Sequence, residues 1–155
     1  MLTGQELEKG LSMLKMIWGA LVASLLVYIF IAPMMLETSQ VNFPPEAYDT
    51  LRKALYSIAF VTLAVTWFFR RMLLAASAPK QTKSRQHPAI QRYTTAMIIA
   101  LAMSEAIGIY GLILFLLGKN QVDLYLLTAL SAAAMTLYFP RREEVISLAE
   151  RFEKR

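Results

Sequence analysis

Long runs of apolar residues, separated by short polar segments, dominate the chain and predict membrane-spanning helices. Four runs approach the roughly 20 residues that a helix needs to cross the hydrocarbon core of a bilayer. The second run is the shortest, but basic residues bracket it, and their long side chains can reach the lipid headgroups. The predicted spans are residues 14–36, 54–69, 94–117 and 122–139.

Two segments outside these runs predict further helical structure. Pro45 is suited to a first helical turn, so the second span is expected to lie within a longer helix that begins near this residue. After Pro140, apolar residues recur at helical spacing and predict a short amphipathic helix over residues 141–155. A solvated extension of the fourth helix is the alternative. The apolar positions of this tail are Val145, Leu148, Ala149 and Phe152.

Composition agrees with one small membrane domain over residues 1–155, since 57% of the residues are hydrophobic. The chain has no cysteine and one histidine, His87, so neither a thiolate site nor a histidine cluster can hold a metal. It also has no phosphate-binding loop and no nucleophile beside a base. We therefore expect no enzyme activity, no cofactor, no metal and no nucleic-acid partner.

The distribution of positive charge predicts the orientation of the spans. The net charge is +5, and most basic residues lie in the N-terminus, the middle loop and the tail. The first loop has Arg52 and Lys53, offset by acidic residues, and the last loop has only Lys119. By the positive-inside rule both termini are cytoplasmic. The expected fold class is all-α, with four spans in two hairpins. The expected location is a bacterial inner (plasma) membrane.

Glu105 is the only charged residue in the third span. A carboxyl group in lipid is costly and usually marks a functional site or a structural partner. Small residues recur every four positions beside it and form a ridge on which another helix can pack closely. Glu105 is therefore expected to face protein. The ridge consists of Ala96, Ala100, Ser104 and Gly108.

Hydrogen-bonding partners for Glu105 must come from other helices or from water, because its neighbours three and four positions away are apolar. Hydroxyl groups are expected at a similar depth on the other spans, and Ser24, Thr62 and Ser131 are the candidate partners. Opposite charge is absent at that depth. An apolar setting without a cation favours the neutral acid, which costs less to bury, so the group is suited to reversible protonation.

The third span and the loop before it resemble a known family. The segment Arg85-Gln86-His87-Pro88 is followed by Thr94 to Ile99 and by Ser104-Glu105-Ala106-Ile107-Gly108. From Arg85 to Leu117 the chain resembles the polar loop and second helix of the proteolipid c-subunit of rotary ATP synthases. The resemblance implies that Arg85 and Gln86 match the cytoplasmic loop pair and that Glu105 matches the carboxylate that carries a proton or sodium ion.

The remainder of the chain departs from that family. The predicted helix before the loop, residues 54–69, has no glycine and carries bulky aromatic residues that do not fit a tight inner ring. His87 stands where the family has proline. An extra predicted helix lies on each side of the pair formed by the second and third spans. These departures argue against a standard rotor subunit.

Two hypotheses remain. In the first, Glu105 binds protons or cations in a membrane protein that associates with itself or with another membrane protein. In the second, the protein is a non-transporting scaffold or assembly partner, and the carboxyl is structural.

Overall fold

The computed structural model describes residues 4–38, 43–75 and 88–153, and within these ranges all regular structure is α-helical. The all-α class is therefore confirmed. Arg85 and Gln86 lie outside the described residues, as does the side chain of Phe152. The helices are α1 (Gly4–Thr38), α2 (Pro45–Ala75), α3 (Pro88–Gly118), α4 (Gln121–Leu137) and α5 (Arg142–Glu153).

Three of these helices are long and apolar enough to cross a membrane, namely α1, α2 and α3. Helix α2 begins at Pro45, as the sequence predicts. Helices α1 and α3 begin well before the predicted spans, because their polar first turns continue the same helices. Helix α4 has 17 residues, and it meets the same criterion only together with α5, from which it is bent by 51°.

Helix α3 occupies the centre of the structure. Helices α1, α2 and α4 each pack mainly against α3, whereas α1 and α2 make little direct contact with each other. The first two helices are thus joined through α3 and do not form a closely packed hairpin. The ridge residues of α3, from Ala96 to Gly108, are all buried. Small side chains at these positions allow close approach, on which helix association in lipid depends.

The end of the bundle near the C-terminus is closed by α5. Its apolar face, Val145, Leu148 and Ala149, joins one core cluster with Leu7 and Leu11 of α1. The amphipathic tail helix is therefore packed on the bundle through α1 and α3, and it is not the solvated extension that the sequence left open.

A short link joins α3 to α4 at the other end of the bundle. The backbone N–H of Lys119 donates to Phe115 O at 2.7 Å, and Lys119 has a φ of 54°. The Asn120 side chain then accepts a hydrogen bond from the N–H of Val122 at 3.0 Å and caps α4. The tight link makes α3 and α4 an antiparallel pair.

The outer surfaces of α1 and α2 carry large apolar side chains. Phe30 is 73% exposed, Met16 is 71% exposed and Phe60 is 62% exposed. A soluble monomer rarely exposes such extensive apolar surface. A hydrocarbon environment is the natural solvent for these faces, and the chain is an integral membrane protein.

Two glycine-to-alanine substitutions are expected to distinguish the effect of close helix packing on stability from the effect of helix propensity. A Cβ at Gly111 would lie 3.0 Å from Leu127 Cβ and 3.2 Å from the backbone oxygen of Leu124, whereas a Cβ at Gly19 would meet nothing within 4 Å. We expect Gly111→Ala to destabilise the protein by about 1–3 kcal/mol through overpacking against α4. Gly19→Ala should be neutral or stabilising by up to about 1 kcal/mol. Equal effects in detergent unfolding experiments would contradict the close approach of α4 at Gly111.

Candidate functional site

Glu105 lies near the middle of α3, one position after the buried Ser104, and its side chain is half-buried. It faces α1, which packs against this part of α3. The close packing is evident at Gly108, where an added Cβ would lie 2.6 Å from Leu25 Cδ2 of α1. The small residues of α3 therefore bring α1 within hydrogen-bonding reach of the carboxyl group.

Two hydroxyl groups of α1 contact one oxygen of this carboxyl group. Ser24 Oγ lies 2.6 Å from Glu105 Oε1, and Tyr28 OH lies 3.0 Å from the same oxygen. Ser24 and Tyr28 are four residues apart, so they project from one face of α1. The site thus consists of one carboxyl group and two hydroxyl groups, with no cation recorded against the carboxyl among the residues that the structure describes.

The geometry around Ser24 accommodates two protonation states. Ser24 Oγ also lies 2.7 Å from Leu21 O, but a hydroxyl group has one hydrogen and cannot donate it fully to both oxygens. With Glu105 ionised, Ser24 and Tyr28 both donate to Oε1. With Glu105 protonated, Oε1 donates to Ser24, Ser24 donates to Leu21 O, and Tyr28 donates to Oε1. Every polar hydrogen has an acceptor in either state, without movement of a heavy atom.

The structure brings together only part of the predicted set of partners. Ser24 contacts Glu105. Ser131, in contrast, donates to Ser104 O at 2.6 Å and joins α4 to α3. No contact of Thr62 with Glu105 is recorded within the described ranges, and its carbonyl accepts from Thr66 Oγ1 at 2.6 Å. Sequence analysis missed Tyr28, although its spacing of four residues from Ser24 placed both hydroxyl groups on one helix face.

A second carboxyl group, Asp123, is fully buried at the start of α4. Tyr48 OH donates to its Oδ2 at 2.6 Å, and Tyr56 OH and Arg52 Nε both donate to its Oδ1 at 2.9 Å. The three donors recur every four residues on one face of α2. Both carboxylate oxygens are satisfied, so this cluster joins α2 to α4. Asp123 lies at the edge of the predicted span 122–139, and the sequence analysis made no use of the spacing of its donors.

A third polar cluster lies at the end of the bundle closed by α5. Arg70 of α2 forms an ion pair with Glu144 of α5, and Tyr93 of α3 donates to the same carboxylate at 3.1 Å. The backbone N–H of Arg141 in turn donates to Tyr93 OH at 3.1 Å. This cluster connects α2, α3 and α5 and holds these three helices together.

Glu105 differs from the other two carboxyl groups in its surroundings. Asp123 and Glu144 each have an arginine partner, whereas the donors to Glu105 among the described residues are both hydroxyl groups. Within the described ranges, no group of three acidic, histidine or cysteine side chains is placed to hold a metal ion. Glu105 is thus held by neutral hydroxyl groups, whereas Asp123 and Glu144 are held in part by a positive charge.

The fold and the site define an all-helical membrane protein with a carboxyl group inside its central helix. Comparison with protein families agrees: the family model for the c-subunit of ATP synthase matches residues 72–117, about 30% of the chain. The match runs from the last turn of α2 to the end of α3 and includes Glu105. It confirms the local resemblance to the c-subunit proteolipid. Neither the curated proteins nor the solved structures gave a match.

Proposed function

We propose that the protein is an integral membrane protein in which Glu105 takes up and releases a proton within the bilayer. The observation that carries the proposal is the position of Oε1 between Ser24 and Tyr28, where hydrogens can be arranged for the acid or for the carboxylate. The resemblance to the c-subunit supports the same role, because the matched segment includes Glu105, which by resemblance corresponds to the ion-carrying carboxylate of that family. Two hydroxyl groups and one carboxyl group suit a proton better than a larger cation, which needs more oxygen ligands.

The topology proposed with this function has four spans and cytoplasmic termini. The proposed fourth span is residues 122–139, which α4 supplies, and the charged α5 lies beyond the bend at the cytoplasmic surface; α4 meets the criterion of length and hydropathy only as a pair with α5. The positive charge of the N-terminus, middle loop and tail supports the orientation. Self-association in the membrane is part of the proposal, since proteins of the c-subunit family assemble into rings and α1 and α2 have exposed apolar faces.

A structural role for the carboxyl group is the second candidate. Both donors to Glu105 come from α1 of the same chain, so the group can serve as a link between α1 and α3. The protein would then be a scaffold or assembly partner that contains a proteolipid-like packing segment. The bulky α2 favours this alternative, because its aromatic residues do not fit a tight ring of identical helices.

Labelling with dicyclohexylcarbodiimide tests the proposal, because this apolar reagent modifies protonated carboxyl groups in apolar sites. We expect labelling of the native protein in lipid to be confined to Glu105 and to fall as the pH rises. The Glu105→Gln variant should not be labelled. Asp123→Asn serves as the control and should leave labelling unchanged, because Asp123 is paired with Arg52.

Two results would count against the proton-exchange role. Absence of labelling at every pH between mildly acid and alkaline would mean that the neutral acid is not formed. Labelling that does not change over this range would mean that the group does not titrate. Either result would leave the scaffold as the better description of the protein.

A further inference from the structure

A groove lies between α1 and the bend that joins α4 to α5. Its volume is about 340 Å³, within the range of about 300–1,000 Å³ that is usual for small-molecule sites. Leu11 and Pro140 form a buried apolar floor, and the remaining lining side chains are polar and exposed. The lining residues are Glu8, Leu11, Ser12, Lys15, Pro140 and Arg142.

The groove carries a net positive charge. Lys15 on α1 and Arg142 on α5 both line it, and Glu8 is the one acidic residue of the lining. Neither cation forms an ion pair with any residue that the structure describes. Two cations that line one cleft together with the hydroxyl group of Ser12 are suited to bind a phosphate group.

The position of the groove indicates which phosphate it meets. Lys15 lies at the edge of the first predicted span, and Trp18 lies one turn further along α1. Trp18 Nε1 donates to Met135 O at 2.9 Å, and its ring packs edge-on against Phe139 with centroids 5.1 Å apart. Tryptophan is enriched at the level of lipid headgroups. The groove therefore opens at headgroup depth, on the end of the bundle where basic residues concentrate.

Exposed apolar side chains lie on α1 at the level of the groove. Met13 is 53% exposed and Met16 is 71% exposed, both on the same part of α1 as Lys15. Acyl chains can cover these side chains while a headgroup occupies the groove. A free phosphate or an acidic peptide would leave them uncovered.

We propose that this groove binds the headgroup of an anionic phospholipid, with Lys15 and Arg142 on either side of its phosphate. Basic pockets between helices on the cytoplasmic side of membrane proteins are general sites for such headgroups. Binding would hold α1 against α5, at the end of the bundle remote from Asp123. The site is separate from Glu105, and the proposal does not depend on proton exchange there.

The test uses the full chain in lipid nanodiscs of phosphatidylcholine, with or without phosphatidylglycerol. We expect phosphatidylglycerol to raise the unfolding temperature and to be retained in native mass spectrometry. In the Lys15→Gln/Arg142→Gln variant the apparent affinity for phosphatidylglycerol should fall about thirtyfold. Each basic side chain near an anionic membrane surface contributes a roughly equal factor to binding, and the variant removes two. The Lys9→Gln/Arg151→Gln variant removes the same charge from exposed positions outside the groove and should keep the native response.

Three results would overturn the proposal. One is an equal response to phosphatidylglycerol in the groove variant and the native protein. Another is an equal loss in both variants, which would indicate attraction to the whole basic surface. The third is stabilisation by inorganic phosphate, added to phosphatidylcholine nanodiscs, that is as large as the stabilisation by phosphatidylglycerol. That result would assign the groove to a free anion. No stabilisation by inorganic phosphate is the expected result.

Discussion

Replacing Arg52 with methionine is expected to lower the free energy of unfolding by about 2–4 kcal/mol, because it leaves the Asp123 carboxylate buried without a cation. Removing one partner of a buried ion pair generally costs about 3–5 kcal/mol. The expected loss extends below that range because the Arg52 side chain is 40% exposed. Hydrogen bonds from Tyr48 and Tyr56 to Asp123 would also remain in the variant. Unfolding in mixed detergent micelles, followed by circular dichroism, measures the effect.

The neighbouring lysine provides a matched control. Lys53 forms an ion pair with Asp49 at 2.6 Å on the same helix, and both side chains are mostly exposed. Exposed pairs of this kind contribute little to stability, so Lys53→Met should leave the unfolding curve almost unchanged. The double variant Arg52→Met/Asp123→Leu should regain most of the stability that Arg52→Met loses, since no buried charge is left. Equal losses for Arg52→Met and Lys53→Met would show that the Asp123 cluster contributes no more than a surface pair.

Replacing Glu105 with glutamine is expected to remove a titrating carboxylic acid from the infrared spectrum of the protein in lipid. The native protein should show a carboxylic C=O band that disappears as the pH rises, and the variant should show none. Glutamine has nearly the same shape, and its carbonyl oxygen can still accept from Ser24 and Tyr28. We therefore expect the variant to fold, with a loss of stability of about 1 kcal/mol or less.

The Tyr28→Phe variant tests the geometry of the same site. It removes one hydrogen bond to Oε1 but keeps the carboxyl group, so the titrating C=O band should remain and change in frequency. Its cost in stability should be about 0.5–2 kcal/mol, as for other hydrogen bonds between helices in membranes. A native spectrum with the carboxylate form at every accessible pH would contradict proton exchange at Glu105. A band that is unchanged in Tyr28→Phe would contradict the hydrogen bond from Tyr28 to Glu105.

Elements of the structure that depend on local sequence were predictable. The start of α2 at Pro45 follows from the chemistry of a first helical turn, and the apolar face of α5 follows from the spacing of Val145, Leu148 and Ala149. The burial of the small residues beside Glu105 was likewise visible as a repeat of four. Ser24 was identified from its depth alone, because a membrane aligns spans to one thickness and so limits which residues can meet.

Contacts between helices were harder to predict, and the reason is physical. Depth identified Ser24, Thr62 and Ser131 equally, but only Ser24 reaches Glu105, since depth does not specify which faces of the helices meet. Helix α3 is apolar on all sides, so its sequence does not show which neighbour covers which face. Tyr28 and the donors to Asp123 were missed for the same reason: their partners lie on helices that are distant in the chain.

The amino-acid sequence by itself determined that this is a helical membrane protein, because apolar runs of about 20 residues have the length of a membrane-spanning helix, which satisfies its own backbone groups in lipid. It also determined that Glu105 lies inside such a run and resembles an ion-carrying carboxylate. Only the tertiary structure decided that α3 lies at the centre and that α1 supplies the hydroxyl groups around Glu105. Close packing of small residues and polar contacts between helices determine this arrangement. Both depend on which helix faces meet in the folded protein.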